Sequence, residues 1–198
     1  MSTDPIVRVE HEHQEISPAW AAELLAELPA GPVLELCGAG QLGLAAVAGT
    51  SRRLVCVALT PGAVTCTETN ARASRLAPGV DIRLGRIREV LRPDERFALV
   101  IAAPPWVAGA ETSRVPEDPL LAIDGGVDGL AVARDCLAAI DAHLDRGGAA
   151  LLQLGSVEQV AALMSLGSGS LRCLEVRRFE GGAVAHLART DEDVPTAW

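Results

Sequence analysis

The stretch VLELCGAGQLGL, residues 33–44, decides how this chain folds. Its first four residues, Val33–Leu36, are mostly apolar and predict a short buried strand. The small residues 37–40 that follow predict a tight loop, and the apolar positions after them predict a helix to about Ala48. A strand that turns through a glycine-containing loop into a helix is typical of the first unit of a parallel α/β sheet.

The same alternation of strands and helices continues towards the C-terminus. Predicted strands cover residues 33–36, 54–59, 80–84, 97–102, 149–154, 171–179 and 183–188. Predicted helices cover residues 18–28, 41–48, 61–74, 128–144 and 157–166, with a long loop over residues 103–127. Apolar strands favour a parallel sheet with helices on both faces. Glu180-Gly181-Gly182 indicates a hairpin, so the last of the seven strands is expected to run antiparallel.

Several helix ends carry sequence signals. Ser17-Pro18 and Thr60-Pro61 each place an N-cap residue before a proline at the first helical position, and Ser156 is a further N-cap. Asp128 is expected to cap the helix after the long loop. Gly147-Gly148 is expected to end that helix.

One α/β domain, residues 17–190, accounts for most of the 198 residues. Residues 191–198 form an acidic tail. Residues 1–16 form an N-terminal segment that is either solvated or folds over the ligand site as a lid. His11-Glu12-His13 falls short of a metal site because it lacks further ligands, so no metal is expected. Under a lid, either histidine is a candidate general base.

The charged residues exclude several functions. All 17 basic residues are arginine, and neither lysine nor tyrosine occurs. Schiff-base chemistry, a P-loop lysine and a tyrosine general base are therefore excluded. The formal net charge is -9, which repels phosphate backbones and anionic lipids. We therefore expect neither a nucleic acid nor a membrane as partner.

Cysteine usage and apolar content indicate the compartment. The five cysteines lie far apart without a C-x-x-C pair, a pattern typical of buried thiols in a reducing cytosol. The N-terminus lacks the apolar core of a signal peptide, and no apolar run approaches the ~20 residues that cross a bilayer. We therefore expect a cytoplasmic protein.

A ligand crevice is expected where the carboxyl ends of the parallel strands meet and the strand order reverses. The segments that follow the predicted strands would line it; they are residues 35–40, 58–60, 85–86 and 102–106. These positions are therefore where the chemistry is sought.

Three motifs in order carry a family resemblance: VLELCGAGQLGL at 33–44, APPW at 103–106 and DGGVDGL at 124–130. Together they resemble the class I SAM-dependent methyltransferases. More narrowly, they are similar to the HemK-type, small-domain branch that methylates amide or amine nitrogens. The similarity covers residues 30–188. It implies a Rossmann-like class I methyltransferase fold and S-adenosyl-L-methionine (SAM) as cofactor.

The resemblance implies a set of cofactor-binding positions. These are Glu35, Cys37, Gly38, Gly40, Thr60, Arg86 and Ala103. Three departures from the family pattern bear on them. Cys37 replaces the first glycine of a loop that is one residue shorter, Ala58 stands where an acidic residue holds the ribose, and Arg86 stands where the family has aspartate.

The resemblance also implies where the acceptor binds. The family motif Asn-Pro-Pro-aromatic corresponds to residues 103–106, with Ala103 in place of the asparagine that holds the acceptor nitrogen. Trp106 keeps an aromatic face for a flat or cationic group. Trp106, Pro104, Arg86 and Glu111 are the candidate catalytic residues. Arg86 reverses the local charge and supplies a fork for an anionic group.

Each of these residues also has a structural interpretation. Gly38 and Gly40 suit a tight turn, Pro104 stiffens a loop, and Trp106 suits packing. Arg86 and Glu111 suit a solvated surface. His143, at a helix end, and His186, in the hairpin, are expected to be structural.

Three functions remain open at this point. The first is SAM-dependent alkylation of a small metabolite, as in specialised metabolism. The second is a methyltransferase fold that has given up SAM and catalyses an elimination or ring closure, with Arg86 stabilising a departing sulfate or phosphate. The third is a non-catalytic subunit of a complex. The expected partners are a small-molecule substrate and, for assembly, a second copy or a different chain.

Overall fold

A single eight-stranded sheet runs through the computed structural model, which describes residues 6–9, 16–114, 120–167 and 169–189. Its order is β1-β7-β8-β6-β5-β2-β3-β4. The strands are β1 (Ile6–Val9), β2 (Val33–Leu36), β3 (Leu54–Ala58), β4 (Val80–Leu84), β5 (Phe97–Ala102), β6 (Leu144–Leu154), β7 (Leu171–Phe179) and β8 (Gly182–Arg189). Only β8 runs antiparallel to its neighbours.

Helices cover both faces of the sheet. They are α1 (Pro18–Glu27), α2 (Gln41–Val47), α3 (Pro61–Ala73), α4 (Ile87–Val90), α5 (Leu120–Ile123), α6 (Ala131–His143) and α7 (Val157–Ser165). The predicted N-caps of three helices are confirmed. The hydroxyls of Ser17, Thr60 and Ser156 each accept a hydrogen bond from the backbone N–H three residues later.

The strand order reverses beside β2, the first of the seven predicted strands. Leu36 at its carboxyl end lies between Val57 of β3 and Ala102 of β5. Chain connections therefore leave β2 and β5 in opposite directions along the sheet, which opens a crevice at this edge. The predicted mostly parallel sheet with a closing antiparallel hairpin is confirmed.

The core lies in two layers because side chains of each buried strand alternate between the faces. In β5, Val100 and Ala102 face α6, while Leu99 and Ile101 face α1 and α2. β2, β3 and β5 are buried along their whole length. The strands that end at the crevice are thus rigidly held.

The end of α6 predicted at about Leu144 is confirmed to within one residue, but the predicted role of Gly147-Gly148 in ending this helix is wrong. The helix stops at His143, and Gly147-Gly148 lies within β6. The register between β5 and β6 shifts after the pairing of Phe97 with Leu144. Gly147 has a φ of 71°, and a side chain at Gly148 would lie 2.9 Å from the backbone oxygen of Ala98. The glycines therefore permit an irregular strand pairing rather than a helix stop.

The predicted capping role of Asp128 is also wrong. The helix begins at Ala131, because Gly129 has a φ of 74° and interrupts the helical backbone. Asp128 lies in the turn before α6. There it accepts a hydrogen bond from Leu130 N–H (3.1 Å) and forms an ion pair with Arg134 of α6. The long loop over residues 103–127 likewise contains short helical turns at 109–114 and 120–123.

The N-terminal segment contributes a strand that the sequence did not predict. β1 pairs in parallel with β7, with Ile6 opposite Glu175. His11, Glu12, His13 and the tail at 191–198 lie outside the described residues. None of the helices in the described part of the chain has the length and apolar character needed to span a bilayer.

Candidate cofactor and acceptor site

Glu35 anchors the glycine loop after β2. Its side chain is 2% exposed and accepts hydrogen bonds from the backbone N–H groups of Gly40 (3.1 Å) and Gly43 (2.6 Å). A methyl group at Gly38 would lie 1.9 Å from the Glu35 Oε1 atom, and one at Gly43 would lie 2.6 Å from Oε2. The glycines therefore let the loop close around a buried carboxylate, which fixes the loop's backbone.

The electrostatics of Glu35 follow from this burial. Loss of hydration raises the pKa of its carboxyl, and the hydrogen bonds from Gly43 and Gly40 oppose the rise. Because the desolvation is larger, the folded chain holds the proton more tightly than the unfolded chain does. The contribution of Glu35 to the free energy of unfolding therefore depends on pH.

We expect Glu35→Gln to lower the free energy of unfolding by about 1–3 kcal/mol at pH 7, because the amide nitrogen cannot accept from a loop N–H. The wild-type contribution from this group is largest below the ordinary pKa of 4.5 and falls as pH rises through the elevated folded pKa. The stability gap between wild type and variant should therefore narrow with rising pH. Urea unfolding from pH 4 to pH 8 measures it, and a widening gap would contradict this account.

Cys37 links the glycine loop to α6. It has a φ of 63°, in the left-handed region that costs a side chain about 1–2 kcal/mol. Its Sγ lies 3.7 Å from the Sγ of buried Cys136. The hydrogen bond with Cys37, followed by burial, raises the pKa of the Cys136 thiol. The Cys37 side chain thus packs against the core.

The expectation of uniformly buried thiols is wrong. Cys56 and Cys136 are buried, Cys37 and Cys173 are half-buried, and Cys66 is exposed. Cys66 lies on α3, a helix of which only Thr67 and Ala71 are buried, so most of its surface faces outwards. Within the described residues, no cluster of three side chains suitable for a metal occurs.

The loop after β5 lies directly beside the glycine loop. Ala103 N–H donates to the backbone oxygen of Leu36 (3.2 Å), so the ends of β2 and β5 are joined at the crevice. Pro104 is buried, and Pro105 is half-buried. The side chain of Ala103 is a methyl group, so it offers a ligand no hydrogen bond.

Trp106 is held across the carboxyl end of β6. A methyl group at Gly155 would lie 2.3 Å from its indole Cε3 atom, so the indole occupies the space that a side chain would take. Its backbone oxygen accepts a hydrogen bond from Gln159 Nε2 (2.9 Å), and Gln159 Oε1 accepts from Gly155 N–H (2.9 Å). The ring is half-buried, so it is packed and partly accessible at once.

The DGGVDGL motif supports this loop. Val107 N–H donates to Ile123 O, and Gly125 N–H donates to Val107 O. A side chain at Gly129 would lie 2.4 Å from the backbone oxygen of Trp106. Asp124 accepts from Gly126 N–H (2.8 Å) within the turn. The motif therefore positions the aromatic residue of the APPW motif.

The opposite side of the crevice offers less polar chemistry. Ala58 is buried and Leu59 is 52% exposed, so no carboxylate stands at the end of β3. The Thr60 hydroxyl caps α3 by accepting from Ala63 N–H (3.2 Å). Leu84 is also 52% exposed, and Arg86 is exposed before α4. In the described part of the chain, Arg86 forms no ion pair.

The remaining candidates belong to other elements than the two joined loops. Glu111 is exposed in the helical turn Gly109–Arg114. His143 is buried, with Nδ1 3.1 Å from Glu95 O and its ring edge-to-face with Phe97, as expected of a structural histidine. His186 is half-buried in β8 against Trp20.

Two functional contacts had not been predicted. Gln159 lies three residues after Ser156, the spacing of a capping box, and that spacing was the available signal. Cys37 and Cys136 are 99 residues apart, and no local pattern indicates their contact. Both contacts arise from the packing of α6 and α7 against the sheet.

Part of the chain is similar in sequence to known glutamine methyltransferases. No family model matches the chain. It is 30% identical over 128 residues to the ribosomal protein uL3 glutamine methyltransferase of Bordetella pertussis, covering 62% of this chain and 43% of that protein. It is 36% identical over 108 residues to the release factor glutamine methyltransferase of Moorella thermoacetica, covering 52% and 38% respectively. The chain thus spans about two fifths of the length of these relatives.

The fold is also found among solved structures. The crystal structure of TrmN from Thermus thermophilus superimposes with a TM-score of 0.61 at 20% identity, covering 87% of this chain and 49% of that one. At this level of identity the likeness concerns the fold alone. The chain therefore has the class I methyltransferase fold.

Proposed function

We infer that this chain is a SAM-dependent methyltransferase that alkylates a small, flat acceptor through an amine or hydroxyl group. The observation that carries this inference is the junction of two loops. The loop anchored by Glu35 and the loop leading to Trp106 meet where the strand order reverses, joined by the Ala103–Leu36 hydrogen bond. The cofactor and the acceptor would approach each other at this junction.

The residues present fit one end of SAM well. Gly38 and Gly40 leave the loop backbone uncovered, and Glu35 keeps that backbone in place for the methionine end. When bound, SAM supplies an electrophilic methyl group on a sulfonium. Leu59 and Leu84 offer apolar contact to the nucleoside end, but Ala58 gives the ribose no acceptor. Loss of a hydrogen bond to a charged group weakens binding by about 1.5–3 kcal/mol, or ~10- to 150-fold.

The acceptor side of the crevice favours a nucleophile whose lone pair is available without hydrogen bonds from the protein. A glutamine amide needs hydrogen bonds to aim its nitrogen, and Ala103 supplies none. An amine or hydroxyl needs only alignment with the methyl group, which positioning provides. The partly accessible indole of Trp106 gives a flat acceptor a face on which to stack. A small metabolite therefore suits this site better than the protein glutamine that the named relatives modify.

One observation favours a second candidate function. Arg86 is exposed next to Gly85, with no ion pair among the described residues, where the family has a carboxylate. A guanidinium there would stabilise a departing sulfate or phosphate in an elimination or ring closure. That function requires no SAM.

Calorimetry with SAM and S-adenosylhomocysteine separates the two functions. We expect both ligands to bind with Kd values of roughly 10–500 μM, and methyl-labelled SAM to label small aromatic amines or phenols but not N-acetylglutamine amide. Trp106→Ala should raise the acceptor KM about 10-fold, with the Kd of SAM changed less than twofold. Leu166→Ala, an exposed residue after α7, is the matched control. No binding at millimolar SAM would reject the proposal in favour of the second function.

A further inference from the structure

A cavity of about 630 Å³ lies at the amino ends of β2, β3 and β5, on the edge of the sheet opposite the crevice. Its volume is within the range of small-molecule sites. Its polar lining is mostly arginine: Arg52, Arg53, Arg83, Arg92 and Arg96, with Glu95 as the acidic member. In a chain of net charge -9, five of the 17 basic residues face one cavity.

The carboxylates near this cavity neutralise only part of its charge. Glu95 pairs with Arg83 (2.6 Å) and Arg92 (3.1 Å), and Asp81 pairs with Arg83 (2.8 Å). Five guanidiniums therefore face two carboxylates. Because Arg83 is only 13% exposed and is bound by both acids, the cavity wall is fixed rather than fluctuating.

Two further guanidiniums are held by neutral oxygens. Arg52 donates to the carbonyls of Leu25 (2.9 Å), Leu28 (2.8 Å) and Pro29 (2.6 Å) at the end of α1. The helix dipole offsets about half of its charge. Arg96 donates to the carbonyls of Pro93 (2.9 Å) and Glu95 (2.7 Å). Within residues 6–9, 16–114, 120–167 and 169–189, neither of these two cations has an ionic partner.

Arg53 and the apolar lining complete the site. The Arg53 side chain is exposed, and its backbone is fixed by Val33 N–H, which donates to Arg53 O (2.8 Å). Val55, Phe97 and Pro32 line the same cavity. Charge and apolar surface together suit an amphiphilic anion, and guanidiniums bind phosphate through two parallel hydrogen bonds.

We propose that this cavity binds a small phosphate ester, a mono- or diphosphate joined to a flat or apolar group. Arg53 and Arg96 contact the phosphate, while the apolar lining contacts the remainder. The overall negative charge of the chain opposes non-specific anion binding, so affinity at this cavity must come from the local arginines. The site is separate from the crevice and does not depend on the proposed methyl transfer.

Calorimetry at low ionic strength, with pyrophosphate, ADP and adenosine as probes, tests the proposal. We expect ADP to bind at least 10-fold more tightly than adenosine, and pyrophosphate to bind measurably. The double variant Arg53→Ala/Arg96→Ala should weaken ADP binding at least 10-fold. The control Arg72→Ala/Arg172→Ala removes the same charge from exposed positions outside the cavity and should change the affinity less than twofold.

Four results would overturn the proposal. One is the absence of binding by ADP and pyrophosphate, and another is an equal loss of affinity in both double variants. The third is displacement of ADP by saturating S-adenosylhomocysteine, which would assign the binding to the crevice. An RNA oligonucleotide that binds more tightly than ADP would assign the surface to a nucleic acid and reject a small ligand. Thermal unfolding of each variant verifies that the fold is intact.

Discussion

Gly38→Ala is expected to weaken SAM binding at least 100-fold and to lower the free energy of unfolding by about 2–4 kcal/mol. The new methyl group would lie 1.9 Å from the Glu35 Oε1 atom, closer than any non-bonded contact allows. Glu35 would have to move, and the N–H groups of Gly40 and Gly43 would lose their acceptors. The loop backbone would then no longer be held for the cofactor.

Gly79→Ala is the matched control for this substitution. Nothing lies within 4 Å of a methyl group at Gly79, and its φ is not in the left-handed region. Urea unfolding and SAM calorimetry on both variants separate the two effects. A stability of Gly38→Ala equal to that of the control would contradict the anchoring role of Glu35. Lost stability with unchanged SAM affinity would instead contradict the placement of the cofactor.

Arg83→Met is expected to cost about 3–5 kcal/mol of unfolding free energy, the second large effect. Arg83 donates to both oxygens of Glu95 (2.6 and 2.7 Å), to Asp81 (2.8 Å) and to the carbonyl of Val90 (2.9 Å). The side chain of Glu95 is only 14% exposed. Removal of the guanidinium therefore leaves a nearly buried carboxylate with Arg92 as its remaining ionic partner among the described residues.

The pH dependence of stability identifies the mechanism. Hydrogen bonding to Arg83 is the main cause that lowers the pKa of Glu95 to about 2 from its ordinary value of 4.5. A lowered carboxyl pKa stabilises the fold above pH 4.5, and this contribution is lost as pH falls towards 2. In Arg83→Met, the free energy of unfolding should fall less than in the wild type as the pH is lowered from 4.5 towards 2. The control Arg72→Met breaks an exposed ion pair with Glu68 and should change the free energy of unfolding by less than about 0.5 kcal/mol. Parallel pH curves for wild type and Arg83→Met would contradict this explanation.

Local sequence rules predicted most of the fold because the central strands β2, β3 and β5 are mostly apolar and three helix starts carry a polar cap. Ser17, Thr60 and Ser156 are confirmed in that role. These features depend on neighbouring residues alone. A single sequence is therefore sufficient to identify them.

The errors arose where tertiary contacts overrode a local signal. Gly147-Gly148 resembles a helix stop, but the register shift between β5 and β6 uses it inside a strand. Asp128 resembles a cap, but the left-handed backbone at Gly129 delays the helix to Ala131. The short β1 strand pairs with β7, far along the chain, and no local pattern indicates that contact.

The candidate site was predictable in position and less so in detail. Glu35, Gly38 and Gly40 do come together, and the loop of Pro104 and Trp106 lies beside them. The sequence did not indicate that the Glu35 carboxylate accepts hydrogen bonds from the loop backbone. Nor did it indicate that Gln159 donates a hydrogen bond to the backbone oxygen of Trp106. Arg86 and Glu111, which are both exposed, remain predictions as candidate catalytic residues.

The position of β4 at the end of the sheet has a consequence for self-association. One side of β4 pairs with β3, and no strand of the described chain covers its other side. An uncovered strand edge is a template on which another chain can continue the hydrogen-bond ladder. Charged side chains on such a strand are the usual protection against this growth, and β4 carries two, Asp81 and Arg83. The ionic network that stabilises the fold thus also places charges on this strand edge, which oppose aggregation.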